Sequence, residues 1–414
     1  MLNSSCKFAR RQHGFSLVEL MVAMLLGIVV VGAVLQLFVG SRTTQISTTA
    51  MADMQENARF SLELIKKELR GLDAFGFCAG EPLPRNHLDH TDPTSCGSAE
   101  PVFNAVYSFG SDASTDVIDR WDRPVVGWEY TGTGPGDSFD AEADLNPENT
   151  SKSDWAMWVT SLDRMKADQS LELPDALDGK VVAGSDVVVV RRMIPVLDSS
   201  ERPVVLSHRH EPVDVNLSLH DAPDSSFKLE NHLMLITNCS KSDVFFNTGS
   251  TNVLSSDGGT CGEWATAYDE TAQFYAVKVY AYFVGYNDDT KEPGLYRADF
   301  SHGLNDVKIE ELVEGLENMQ VLYGYSHPVD GSGERVDEWL TAEQVPSWKY
   351  VIATRMSFLM RSVDGMGDHV DYDDMGFSLA GMTYRPANEK RTRLRQPFHL
   401  TVGLRNRQVV IERD

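Results

Sequence analysis

The sequence predicts an α+β chain: one long N-terminal helix followed by a mostly antiparallel, β-rich head. Three observations carry that reading. Between Glu19 and Arg42 lie 22 consecutive uncharged residues, and beyond them apolar residues recur at steps of three and four as far as Leu72. After about residue 180, runs rich in Val, Ile, Tyr and Phe alternate with Asn, Asp, Gly and Pro, as strands and turns do. The 414 residues are 42% hydrophobic and 24% charged, an ordinary globular composition that excludes wholesale disorder and collagen-like or coiled-coil architecture. That length fits two or three domains. Its net charge of −24 repels phosphate backbones, so no nucleic-acid partner is expected.

The first element is read from charge and length. Residues 1–13 carry Lys7, Arg10, Arg11 and His13 and no acid. After Gly14 the run 15–39 is apolar except for Ser16, Glu19 and Gln36. As a helix, 22 residues span roughly 33 Å, enough for a hydrocarbon core of about 30 Å. Basic residues ahead of the span orient the N-terminus toward the cytoplasm. A cleaved secretory signal is a competing reading, with Val39-Gly40-Ser41 as its cleavage site, but the apolar core is too long for one. A simple uncleaved anchor accounts for the length and leaves Glu19 unexplained. A carboxylate inside a span costs a few kcal/mol and signals function with a partner.

The string Gly14-Phe15-Ser16-Leu17-Val18-Glu19 resembles the class III signal of type IV prepilins and type II secretion pseudopilins. The resemblance implies a leader at 1–14 removed by a prepilin peptidase, N-methylation of Phe15, and subunit docking through Phe15 and Glu19. There the carboxylate would meet the new N-terminal amine of a neighbouring subunit. Opposite charges in a low-dielectric medium compensate each other's desolvation only when adjacent, which would fix one axial stagger.

The helix is expected to continue past the membrane. Ile46, Ala50, Met54, Ala58, Leu62, Ile65, Leu69 and Leu72 form one apolar stripe, while Glu56/Arg59 and Glu63/Lys66/Lys67 pair on the polar side. Gly71 and Gly76 are the stop signals. The domain expectation is therefore a spine at 15–76, transmembrane over 15–41, and a periplasmic head at 77–414. Within this frame Gln55-Glu56-Asn57-Ala58-Arg59-Phe60 resembles the PilW-type minor pilins. So do residues 233–245, Leu295-Tyr296-Arg297, the block 311–324 (ELVEGLENMQVLYG), and the closing stretch 391–407.

In the head, strands are expected at 186–191, 232–237, 275–286, 319–325, 350–358 and 398–404, with a hairpin connection around 287–294. Residues 81–180 match no family element and are rich in Pro, Gly, Asp and Ser. They are expected to form a loop-rich surface insertion, with Trp121, Trp128, Trp155 and Trp158 filling a core or loop base. Cys78, Cys96, Cys239 and Cys261 admit three pairings. The sequence-local pairing, Cys78–Cys96 with Cys239–Cys261, is also the one the resemblance implies, and an oxidising periplasm would suit it.

Other chemistry has little support. Thr131-Gly132-Thr133-Gly134-Pro135-Gly136 lacks the Gly-Lys-Ser/Thr that a phosphate loop needs. His208/His210 and His87/His90 read as surface histidines. Asp364, Asp368, Asp371 and Asp373 form a weak calcium candidate against a solvated acidic loop, since the EF-hand ligand order is missing. No metal or other cofactor is expected, and no catalytic motif appears, so a non-enzyme is expected. The resemblance implies a minor pilin that primes assembly of the type IV pilus and sits at or near the fibre tip. It would move from the inner membrane, with a periplasmic head, to the extracellular fibre. Its implied partners are the prepilin peptidase, other minor pilins, the major pilin and a large tip adhesin. The alternatives are a J-type minor pseudopilin of type II secretion and an adhesin module displayed on the pilus. Removing the leader would take Lys7, Arg10 and Arg11 and no acid, turning −24 into −27.

Overall fold

A computed structural model describes residues 16–72, 85–86, 125–141, 157–161, 173–209, 216–225, 227–230, 232–238, 242–247, 249–250, 253–255, 267–301, 307–327, 335–363, 376–386 and 393–404. The chain divides into two units, Met1–Ala52 and Asp53–Asp414.

Within the first unit the described chain is all helix, the N-terminal part of α1 (Leu17–Arg70). Leu, Val, Ile, Met and Phe side chains from Leu17 to Val39 are exposed on every side. The helix is long and apolar enough to cross a membrane. Beyond the apolar run, the Thr43, Thr44 and Thr48 hydroxyls donate to the carbonyls four residues back, at 3.0, 3.0 and 2.8 Å. Such back-bonding gives each hydroxyl a partner within the helix itself.

In the second unit α1 runs on to Arg70, where Gly71 N–H closes a last turn on Glu68 O at 3.1 Å. The expected stripe is observed as a buried face of Met54, Ala58, Ile65, Leu69 and Leu72, joined by Ser61 and Glu68. Leu62 is only partly buried, and Ile46 is 42% exposed.

Eighteen strands follow among the described residues. In order they are β1 (Arg85–Asn86), β2 (Val125–Tyr130), β3 (Ser138–Asp140), β4 (Trp158–Val159), β5 (Val187–Pro195), β6 (Asn216–Ser218), β7 (His232–Thr237), β8 (Ser242–Asn247) and β9 (Val253–Ser255). Then come β10 (Gln273–Tyr286), β11 (Pro293–Asp299), β12 (Lys308–Glu314), β13 (Leu316–Tyr325), β14 (Glu338–Leu340), β15 (Val351–Arg361), β16 (Phe377–Leu379), β17 (Met382–Arg385) and β18 (Arg395–Gly403). A nine-stranded sheet has the order β1-β8-β7-β10-β5-β2-β4, with β11 also on β10 and β12 on β11. One edge of β10 is shared: Gln273 to Ala276 pair with β7, and Tyr280 to Tyr286 with β11. The second sheet is β14-β13-β15-β18; β16-β17-β3 and β6-β9 form small sheets. Among the described strands, only β1–β8 and β17–β3 pair in parallel.

The two large sheets and the buried face of α1 share one core. It includes Met54, Leu69, Val187, Val189, Tyr282, Phe283, Met319, Val321 and Phe358. A second cluster, with Val204, Leu217, Ile236, Phe245, Leu254 and Phe274, lies under β6-β9. The described part of 81–180 departs from the surface-insertion reading. β2 and β4 are integral to the nine-stranded sheet, and Trp128 and Trp158 are buried in the main core. Their short apolar runs were hidden by the Pro- and Gly-rich sequence around them.

Candidate functional site

The chemistry-bearing N-terminus is built as a helix start. Ser16 precedes the helix, and its Oγ accepts the Val18 N–H at 3.2 Å. Glu19 reaches back, its Oε2 accepting the Ser16 N–H at 2.9 Å. Glu19 thus satisfies the Ser16 N–H and Ser16 caps the Val18 N–H, a capping-box arrangement in which the serine serves the second rather than the third helical residue. A carboxylate in the first turn also suits the positive end of the helix. Glu19 Oε1 takes no part in this contact. Gly14 and Phe15 lie outside the described residues.

The spine is tied to the head by polar contacts as well as by burial. Asn57 Nδ2 donates to Glu314 O at 3.2 Å. Glu68 forms a 3.0 Å ion pair with Arg192 of β5, and Leu72 bridges to Arg192 through the backbone. Burial pushes the Glu68 pKa up against the opposing pull of Arg192. Nearby, Arg297 pairs with Glu310 and lies 4.6 Å above the Tyr280 ring.

Two polar junctions hold the large sheets together. At the first, residues 184–186 stand in for a strand along β13. Asp186 N–H donates to Met319 O at 2.9 Å, and Met319 N–H donates to Ser185 Oγ at 3.2 Å. Asn318 Nδ2 and Gln320 Nε2 both donate to Gly184 O, at 2.7 and 2.8 Å. Burial, with the charge of Glu129 adding to it, holds the Asp186 carboxyl well above the usual carboxylate range. Glu129 of β2 is pushed up to about 7, again mainly by burial.

At the second junction Glu317 of β13 pairs with Arg395 of β18 at 2.6 Å, both side chains almost fully buried. Glu292, in the β10–β11 hairpin, pairs with Arg361 at 2.5 Å and with Arg393 at 2.6 Å. The chain passes between the sheets at Gly315, with φ +91°, between β12 and β13.

A family model described as type IV pilus-assembly protein W matches residues 281–406, and one for the prokaryotic N-terminal methylation motif matches residues 9–35. No curated protein and no solved structure matches the chain. The two matches support a PilW-type type IV pilin.

The first match runs from within β10 past β18, so it holds the second sheet and its charged corner. The pilin motif residues there have structural duties. Leu295 is fully buried, Tyr296 stacks on Phe283, and Arg297 meets Glu310. In the block 311–324, Gly315 makes the corner, Glu317 takes Arg395, and Asn318 and Gln320 hold residue 184. The matches indicate a structural pilus-assembly protein. The methylation motif implies processing by a prepilin peptidase and pilus-assembly partners in general. With the apolar N-terminal helix it fits membrane anchoring of a pilin.

The other sequence candidates are not brought into one site. Cys78, Cys96, Cys239 and Cys261 lie outside the described residues, as do Asp364, Asp368, Asp371, Asp373, His87, His90 and His210. His208 is exposed beside the Ser207 hydroxyl. The glycine-rich stretch is a turn from β2 to β3, in which Thr133 N–H donates to Tyr130 O and Asp137 N–H to Gly134 O. Among the described residues no three His, Cys, Asp or Glu side chains are placed to hold a metal.

The acidic pair Asp186/Glu129 and the network Glu292, Glu317, Arg361, Arg393 and Arg395 were missed in the sequence. Their members are far apart along the chain, and the one local signal was the interruption of apolar alternation at Glu317, Asn318 and Gln320.

Proposed function

We propose that this pilin is a minor pilin that primes assembly of the type IV pilus and stays at or near the fibre tip with other minor pilins. The leader 1–14 is removed between Gly14 and Phe15, leaving a spine at 15–76 and a head at 77–414. The head faces the periplasm first and the exterior later. The observation that supports this reading is the placement of Glu19. It sits in the first turn of a 54-residue helix whose apolar side chains from Leu17 to Val39 are exposed on every side. One carboxylate oxygen caps its own helix, which leaves the other for the Phe15 amine of a neighbouring subunit. Burying an isolated carboxylate among apolar helices is costly, and pairing it with an amine offsets that cost. Docking would therefore be selective for one stagger. The head would meet other minor pilins through heterologous contacts.

The test is Glu19→Ala in the producing cell. Immunoblotting should show normal leader removal, and pilus counts should fall to those of a strain lacking the protein. Wild-type piliation with Glu19→Ala contradicts the docking role. Immunogold labelling of the head in sheared pili tests the location, with label at fibre ends expected and uniform label along the shaft contrary to it.

A further inference from the structure

Two carboxyl groups lie inside the head with acidic neighbours. Asp186 is 3% exposed and Glu129 7%. Asp186 bridges the two large sheets: its Oδ1 accepts the Tyr130 N–H of β2 at 3.2 Å, and its Oδ2 accepts the Val321 N–H of β13 at 2.8 Å. The charged and titratable groups acting on the pair come from each element around it. β13 contributes Tyr323, the turn after β2 contributes Asp137, and the turn after β14 contributes Glu343. All are acids or phenols. The Thr341 hydroxyl and the Glu343 N–H, placed beside Glu129, favour its charged form, but burial outweighs them. Even so, Glu129 Oε2, Thr341 Oγ1 and the Tyr323 hydroxyl have no hydrogen-bond partner of full geometry. The contact is close on the backbone side too, because a Cβ at Gly127 of β2 would overlap the Tyr323 hydroxyl.

A buried carboxylate without a cation neutralises by taking a proton, and two such groups in one site do so more readily. The two backbone N–H groups favour the charged form of Asp186, but burial outweighs them; the neutral carboxyl keeps its carbonyl oxygen for one N–H, holds the other more weakly through its hydroxyl oxygen, and gains an O–H to donate. Ionisation of both groups would instead set like charges on β2 and at the β5 entrance, beside the two hydrogen bonds through which Asp186 links β2 to β13.

We propose that Asp186 and Glu129 form a proton-loaded clamp that closes the junction between the two sheets in acidic medium and loosens it as the medium turns alkaline. Burial raises the proton affinity of both groups, assisted by the Glu129 charge at Asp186 and by Glu343 and Asp137 at Glu129. The folded head thus holds these protons more tightly than the unfolded chain does. Stability from Glu129 is full below its unfolded value of 4.5 and is lost as pH rises through about 7. That direction is opposite to the one for salt-bridged carboxylates, which lose stability on acidification.

The test uses the full chain in detergent micelles. Between about pH 5 and pH 8 the melting temperature of the wild type should fall by roughly 5–10 °C. Glu129→Gln keeps the shape and removes one titration, so its fall should be much smaller and it should melt above the wild type at pH 8. Glu68, also raised by burial, titrates in both proteins and cancels in the comparison. Wild-type and Glu129→Gln curves that run parallel across this range would overturn the clamp. A second measurement needs no variant: the infrared spectrum of the wild type at pH 6 should show a protonated carboxyl slow to exchange in D2O. Absence of that band also overturns the proposal, and if Glu129→Gln does not fold this band decides alone.

Discussion

Replacing Gly315 with Ala perturbs the corner at which the chain leaves one large sheet for the other. The residue has φ +91°, a conformation that costs an L-residue about 1–2 kcal/mol. A Cβ there would also lie 2.7 Å from the carbonyl oxygen of Arg361. That backbone cannot retreat cheaply. Gly315 N–H donates to Pro293 O at 2.7 Å, and Arg361 N–H donates to Gly315 O at 2.7 Å. Relieving the overlap would weaken one or both bonds, each worth about 1 kcal/mol net. The total is about 3 kcal/mol. Gly132 is the control: its φ is +83°, yet nothing lies within 4 Å of the space a Cβ would fill. Gly132→Ala should therefore cost about 1 kcal/mol, the backbone part alone. For a chain of this size 1 kcal/mol moves a melting temperature by about 2 °C, so the expected drops are about 6 °C and about 2 °C. Thermal denaturation of both variants in detergent, followed by circular dichroism, measures them. Equal drops would refute the contribution assigned to the Arg361 contact.

Three further outcomes are expected. Glu317→Ala leaves the Arg395 guanidinium buried without its carboxylate, and should destabilise the head by about 3–5 kcal/mol in chemical denaturation. A loss below about 1 kcal/mol would show that solvent reaches the pair. Trp128→Ala should cost about 3–5 kcal/mol, because the side chain is 1% exposed in the main core. Wild-type stability there would return residues 125–130 to a surface insertion. Ala380 and Gly381 form the two-residue turn between β16 and β17 with φ +50° and +97°, the pattern of a type I′ hairpin that favours Asn-Gly. Ala380→Asn should raise stability by about 1 kcal/mol, and a lower melting temperature would contradict that turn assignment.

Much of the fold was legible in the residue pattern. The strand at 232–237 falls where alternation placed it, and β10 extends the expected 275–286 by two residues. These runs carry their own signal, since Val, Ile, Tyr and Phe are confined to short stretches between turn formers. The helix was equally legible, because 22 uncharged residues and a stripe of period three to four leave few other structures. The stripe did not reveal how deeply each position is buried. Leu62 and Ile65 look alike in sequence, but one is partly buried and the other fully buried. β13 is buried along its whole length although it contains Glu317, Asn318 and Gln320. Alternation cannot foretell that, because those side chains are satisfied by Arg395 and by the carbonyl of Gly184, supplied from distant parts of the chain. The acidic clamp was hidden for the same reason, with Glu129 in a Gly- and Pro-rich stretch and Asp186 at the head of a strand. Glu19, the proposed docking residue, stood out by itself, as one carboxylate at the start of an apolar span.

The central claim is that the chain is processed as a pilin, with Phe15 becoming the first residue of a membrane-borne spine. Mass spectrometry of the N-terminal peptide of protein purified from the producing cell tests it directly. A peptide beginning at N-methylated Phe15 is the expected result. A chain that still begins at Met1, or that begins after Ser41, would contradict it.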